Sequence, residues 1–92
     1  MAVLDTDTIT QALEELPGWQ LEGDAIRREF TFDDFLAAVD FINRLAPLAE
    51  EANHHPELTN VYATVTVVLT THDEGGVTTS DLDLARAIDG VA

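Results

Sequence analysis

Apolar positions recur along the chain with two periods. Ile9, Ala12, Leu13 and Leu16 have the three-to-four-residue spacing of a helix over residues 8–16. Thr6, Asp7 and Thr8 offer N-caps, and Pro17-Gly18 supplies a stop. The period then shortens to two. Trp19 and Leu21 alternate with polar neighbours, and Gly23-Asp24 is a turn. Ile26, Arg28, Phe30 and Phe32 share one strand face, with Arg27, Glu29 and Thr31 on the other. This predicts two antiparallel strands joined as a hairpin. Asp33 can cap a second helix. Its apolar stripe is Phe35, Val39, Ile42, Leu45, Leu48 and Ala52, spread over about five turns. Pro47 lies inside this stretch, where it cannot donate to the helical ladder, so a kink or break is expected there.

Leu58 to Thr71 is rich in valine and threonine and reads as strand. Val61, Ala63, Val65, Val67 and Leu69 alternate with Tyr62, Thr64, Thr66, Val68 and Thr70. Asp73-Glu74-Gly75-Gly76 is a turn. Thr78 and Asp81 have capping-box spacing, with aspartate in place of the usual glutamate. Leu82, Ala85, Ile88 and Val91 then mark a final helix. The order is α-β-β-α-β-β-α. It predicts one α+β domain over residues 1–92, an antiparallel sheet of about four strands with three helices packed on one face. No linker, repeat or low-complexity tract interrupts it.

Composition narrows the chemistry. The chain has 92 residues, 46% of them hydrophobic, and no cysteine. That excludes a disulfide, a thiolate zinc site, an iron–sulfur cluster and a cysteine nucleophile. No apolar run approaches the ~20 residues of a membrane span, and Met1 to Asp7 lacks the basic-then-apolar pattern of a signal peptide. The expected compartment is the cytoplasm. Eighteen acids face four bases, all arginine, for a net charge of −14. Self-repulsion at this density destabilises a compact state in dilute buffer, and salt screens it. A salt-rich cytoplasm, as in a halophile, is the expected setting. The same charge argues against nucleic-acid binding, which needs cations for phosphates.

The candidate chemistry lies in three histidines, His54, His55 and His72. Imidazole is the side chain best suited to proton transfer near neutral pH. Glu50 stands four residues before His54, within reach on a helix. One straight strand from 57 to 71 would separate His55 from His72 by about 50 Å, at roughly 3.3 Å per residue. A turn near Asn60 to Ala63 would instead bring His72 back to the helix end. The residues alone leave three readings open: acid–base catalysis, a His-only metal site, and surface or capping histidines without chemistry. Adjacent histidines diverge on regular structure, which counts against a metal.

Glu50-Glu51-Ala52-Asn53-His54-His55-Pro56, then Tyr62, Thr71-His72, Gly75-Gly76, Thr78 and Asp81, resembles the pterin-4a-carbinolamine dehydratase family. The upstream helix, Gly18-Trp19 and the Phe30–Phe32 strand also fit, so the resemblance covers nearly the whole chain. Asn53 stands where some relatives carry aspartate, and Pro47 is unexpected; neither touches the histidines. The resemblance implies dehydration of a 4a-hydroxytetrahydropterin to a quinonoid dihydropterin, in recycling of the pterin cofactor. It implies that His54 and His72 are the catalytic acid–base pair, and that His55 assists and binds the pterin. Glu50 is then the residue to orient His54 or hold it protonated, or else a solvated helix carboxylate. Asn53 and Thr71 are candidate pocket hydrogen-bonders. Trp19 is a candidate wall for the pterin, or else a core or interface aromatic. Pro56 reads as a helix stop, Asp81 as a cap or first-turn acid. No metal and no resident cofactor are expected, the pterin being the substrate. The expected partners are that small molecule and further copies of the chain, as a homodimer or homotetramer. The alternative on the same fold is a non-catalytic binding, scaffolding or coactivator module.

Overall fold

Seven elements follow the predicted order: α1 (Thr6–Leu13), β1 (Gln20–Glu22), β2 (Ala25–Thr31), α2 (Phe35–Ala52), β3 (Glu57–Val61), β4 (Thr64–Leu69) and α3 (Thr79–Asp89). The structure, a computed structural model, describes residues 2–92. Asp5, one residue before the predicted caps, starts α1, accepting the Thr8 amide at 2.8 Å. That amide, with the Thr8 hydroxyl, holds the Asp5 carboxyl below its ordinary pKa. The cap is therefore fully formed above the ordinary carboxylate range and weakens only as pH falls through the lowered value. The helix stops at Leu13, and Leu16 is buried from the turn that follows. Gly18 has a φ of +93°, and a Cβ there would lie 2.7 Å from Arg28 Nε. The positive φ favours glycine, and a side chain here would push the Arg28 guanidinium aside.

The sheet is antiparallel throughout, in the order β1-β2-β4-β3. Its alternation decides which face is covered. Ile26, Phe30, Val65, Val67 and Leu69 are buried. The intervening Arg27, Thr66 and Val68 are half-buried and Glu29 is exposed, on the side without helices. The covering residues of α2 are Ala38, Phe41, Leu45 and Ala49. Phe41 sits between Phe30 and Phe32, with ring centroids 4.7 and 5.0 Å away.

Three expectations for α2 are corrected. Asp34, not Asp33, is its N-cap, accepting the Ala37 amide at 2.8 Å. The buried stripe is rotated by about one position from the predicted one: Phe35 is half exposed and Ala52 exposed, while Val39, Ile42 and Leu48 flank the seam. Small Ala38 and Ala49 let the helix approach the sheet, a role that hydrophobicity alone does not reveal. No break occurs at Pro47; the helix runs through it. Pro47 and Asn43 are both exposed, so water can reach the carbonyl that loses its partner.

Candidate active site

The site begins where α2 ends. Asn53 adopts the left-handed conformation, φ 49° and ψ 42°. Its amide donates to the Glu50 carbonyl and the next amide, His54, to the Ala49 carbonyl, both at 3.1 Å. This is a Schellman closure, usually made by glycine and next best by asparagine. The reversal separates the two adjacent imidazoles. The His54 side chain turns inward and is 14% exposed, whereas that of His55 is 57% exposed.

The chain returns as the histidine geometry demands. β3 and β4 are joined by Tyr62-Ala63, within the stretch where a turn was needed, and Tyr62 has a φ of +49°. Asn60 Nδ2 braces the reversal, donating to the Tyr62 and Thr64 carbonyls at 3.1 Å. The register that sets Glu57 opposite Val68 brings residues just before β3 level with those just after β4. The following loop is pinned: Thr71 bridges Gly76, and the Thr71 carbonyl accepts the amides of Glu74 and Gly75 at 3.0 and 2.9 Å. His72 and Asp73 are held at its exposed tip.

The predicted capping box then supplies a carboxylate that the sequence did not mark as functional. Thr78 caps α3 and Asp81 closes the box, both fully buried. Asp81 Oδ2 accepts the Thr78 amide at 2.9 Å and the Thr71 hydroxyl at 2.8 Å. Its Oδ1 takes a short hydrogen bond from His54 Nε2. The Thr71 and Thr78 hydroxyls are 2.8 Å apart. Thr71 has one proton and gives it to Asp81, so the Thr78 hydroxyl donates to Thr71. A chain Thr78–Thr71–Asp81–His54 results, with every member satisfied. It assigns the His54 proton to Nε2 and leaves Nδ1 as the basic nitrogen.

Asn53, His54, His55, Thr70, Thr71, His72 and Asp73 line one cleft of about 240 Å³. Five of the predicted site residues, Asn53, His54, His55, Thr71 and His72, are thus brought together. Two are not. Glu50 does not orient His54; its Oε1 takes the His55 Nε2 proton at 2.5 Å, on the exposed surface. The turn at Asn53 swings His54 away from the helix face that carries Glu50. Trp19 does not line the cleft. It is buried in the core, with its Nε1–H donating to Asp89 Oδ1 at 2.9 Å, beside Arg28 on the same oxygen at 3.0 Å. His72 makes no side-chain hydrogen bond to a described residue. Among the described residues no group of three or more His, Cys, Asp or Glu is arranged to hold a metal ion, and no helix is long and apolar enough to cross a membrane.

The three imidazoles therefore stand in three environments: one backed by a buried carboxylate, one paired at the surface, one open. Residues 2–91 match the family model described as pterin 4 alpha carbinolamine dehydratase. The chain belongs to this family. A Thermomicrobium roseum protein is 50% identical over 88 residues, covering 96% of this chain and 95% of its own length. A Mycobacteroides abscessus protein is 52% identical over 89 residues, covering 97% and 95%. Both bear the name "Putative pterin-4-alpha-carbinolamine dehydratase". Among solved structures, the transcriptional coactivator/pterin dehydratase from Brucella melitensis superposes with a TM-score of 0.93 at 42% identity, over 98% of both chains. A pterin dehydratase-like RuBisCO assembly factor of the alpha-carboxysome shares the fold, with a TM-score of 0.67 at 21% identity over 80% of this chain and 86% of its own.

Proposed function

We propose that this member of the dehydratase family converts a 4a-hydroxytetrahydropterin to a quinonoid dihydropterin and water, by proton transfer between its own histidines and the substrate. The observation that carries the reading is the single cleft in which His54 and His72 meet, one imidazole backed by a buried carboxylate and the other exposed. The reaction breaks the bond from C4a to its hydroxyl oxygen. That oxygen needs a proton to leave as water, and a ring N–H must give one up. His54 suits the second task. Its Nε2–H is committed to Asp81, so Nδ1 takes the ring proton, and the carboxylate stabilises the imidazolium formed. His72 suits the first, because an exposed imidazole can exchange protons with solvent between turnovers. His55 and Asn53 contribute polar groups that orient the pterin, and Thr71 acts through Asp81. No metal is needed for these steps.

The same reading has the protein working as a homodimer or homotetramer in the cytoplasm. β3 is an edge strand, and Leu58, Val61 and Tyr62 are exposed on it and its turn, which supports self-association there. The coactivator name of the Brucella relative keeps a partner-binding role in view.

The test is dehydration of a 4a-hydroxytetrahydropterin in molar KCl by wild type, His54→Ala and His72→Ala. Loss of about 10²-fold or more in kcat in either variant, the scale of a missing acid or base, is the expected result. A folded wild type without activity would overturn the enzyme reading in favour of a protein partner.

A further inference from the structure

The charges around the cleft bear on which pterins it can take. The chain has four arginines and no lysine. None of the arginines lines the cleft. Each is engaged elsewhere with a carboxylate: Arg27 with Glu22 and Glu29, Arg28 with Asp89, Arg44 with Asp40, and Arg86 with Asp83. The lining instead carries Asp73, fixed on the pinned loop beside His72. Glu50 sits on His55, and Asp81 stands behind His54. A proton gained by either of these imidazoles is therefore matched by a carboxylate already in contact with it. Among the described residues, the one cation left to face a ligand is a protonated His72, with Asp73 next to it in the chain.

A site that binds phosphate or carboxylate normally presents arginine, lysine or a helix N-terminus to it. The N-terminus of α3 is not available for this, because the Asp81 carboxylate occupies its first turn. A pterin can carry an uncharged substituent, such as a hydroxylated alkyl chain, or an anionic one, such as a phosphate ester or a carboxylate. An anionic substituent at this cleft meets fixed negative charge with no guanidinium to offset it, in the field of a molecule at −14.

We propose that the cleft discriminates by charge: it accepts 4a-hydroxytetrahydropterins with an uncharged side chain and rejects those bearing a phosphate or carboxylate, with Asp73 as a specificity-determining residue. This rests on the dehydratase reading above and adds the substrate class to it.

The test compares kcat/KM for two substrates of the same ring, one with a dihydroxypropyl side chain and one with its phosphate ester. It starts at the lowest KCl concentration at which circular dichroism shows the protein folded, and continues upward in salt. The expected result is a preference of about tenfold or more for the uncharged substrate, expressed mainly in KM, that narrows as salt screens the field. In Asp73→Asn the ratio of the two kcat/KM values should shift toward the phosphate ester, whatever the variant does to each value alone. Equal kcat/KM for the two substrates, or a preference unmoved by both salt and Asp73→Asn, overturns the inference and leaves the dehydratase reading standing. Turnover of neither substrate by folded protein overturns that reading, and this inference with it.

Discussion

His54 and His55 are neighbours in the chain with opposite surroundings. One donates to a buried aspartate that also receives the Thr71 hydroxyl and the Thr78 amide; the other meets an exposed glutamate. Equivalent substitutions of the two carboxylates should therefore differ in kind. In Asp81→Asn an amide NH₂ replaces one acceptor oxygen, so it confronts either His54 Nε2–H or the Thr71 and Thr78 donors. Activity should fall by about 10²-fold or more, with a change in the pH–rate profile. Stability should fall by about 1–3 kcal/mol, the cost of an unsatisfied buried partner. Glu50→Gln should leave stability within about 1 kcal/mol, as for any exposed pair, and act on KM if at all. Steady-state kinetics across pH and thermal melting separate the two. The histidines, Asn53 and Thr71 are legible through the family resemblance; their spacing alone leaves catalysis, metal binding and plain surface roles open. The Asp81–His54 contact was not, because the two residues lie 27 positions apart and a capping box already accounted for Asp81. Trp19 stays open between pterin wall and core aromatic for a similar reason: a lone aromatic after a turn carries no mark of whether its face meets a ligand or the core.

At the scale of elements, the end of α2 sets the histidine geometry. Asn53 at φ 49° makes the Schellman turn that sends His54 inward. Asn53→Gly should keep the turn and the protein's stability, since glycine enters this region freely. Asn53→Val should cost about 1–2 kcal/mol, because a β-branched side chain resists the left-handed region, and should lower kcat by displacing His54. Melting and kinetics of the pair test this, and equal behaviour of the two variants would contradict it. Element order could be read from alternation and from valine and threonine content; the β3–β4 reversal could not, because the alternation runs unbroken from Val61 to Leu69 and only the distance between the histidines calls for a turn. The boundaries of α1 and the seam of α2 could not. The choice between Asp33 and Asp34 as cap, and of Ala38 rather than Val39 as the buried residue, depends on how the helix docks on the sheet. The continuity of α2 through Pro47 likewise depends on solvent at Asn43, which no local rule contains.

At the scale of the molecule, four guanidinium groups cannot neutralise eighteen carboxylates, and each is already in contact with one or two. The remaining repulsion is spread over the surface and falls with ionic strength, as the Debye length shrinks to about 3 Å at 1 M. The melting temperature should climb with KCl toward molar concentrations. For a domain of this size each 1 kcal/mol recovered corresponds to about 4–8 °C. A scan of melting temperature against KCl that stays flat would show that the charge has no part in stability. Composition carried this expectation in full, since it needs only the charge count.

The double duty of Asp81, as helix cap and as partner of His54, bears on the order in which the site is completed. The ribosome makes α2 with His54, and then β4 with His72 just beyond it, before residue 81 exists. A nascent chain at that stage owns all three imidazoles, but nothing yet fixes the His54 proton on Nε2. The same carboxylate that lets α3 begin supplies that anchor, so docking of the helix and fixing of the His54 proton are one event. On the proposed dehydratase reading, partly made chains should be silent toward substrate, and activity should begin only once synthesis has passed through α3.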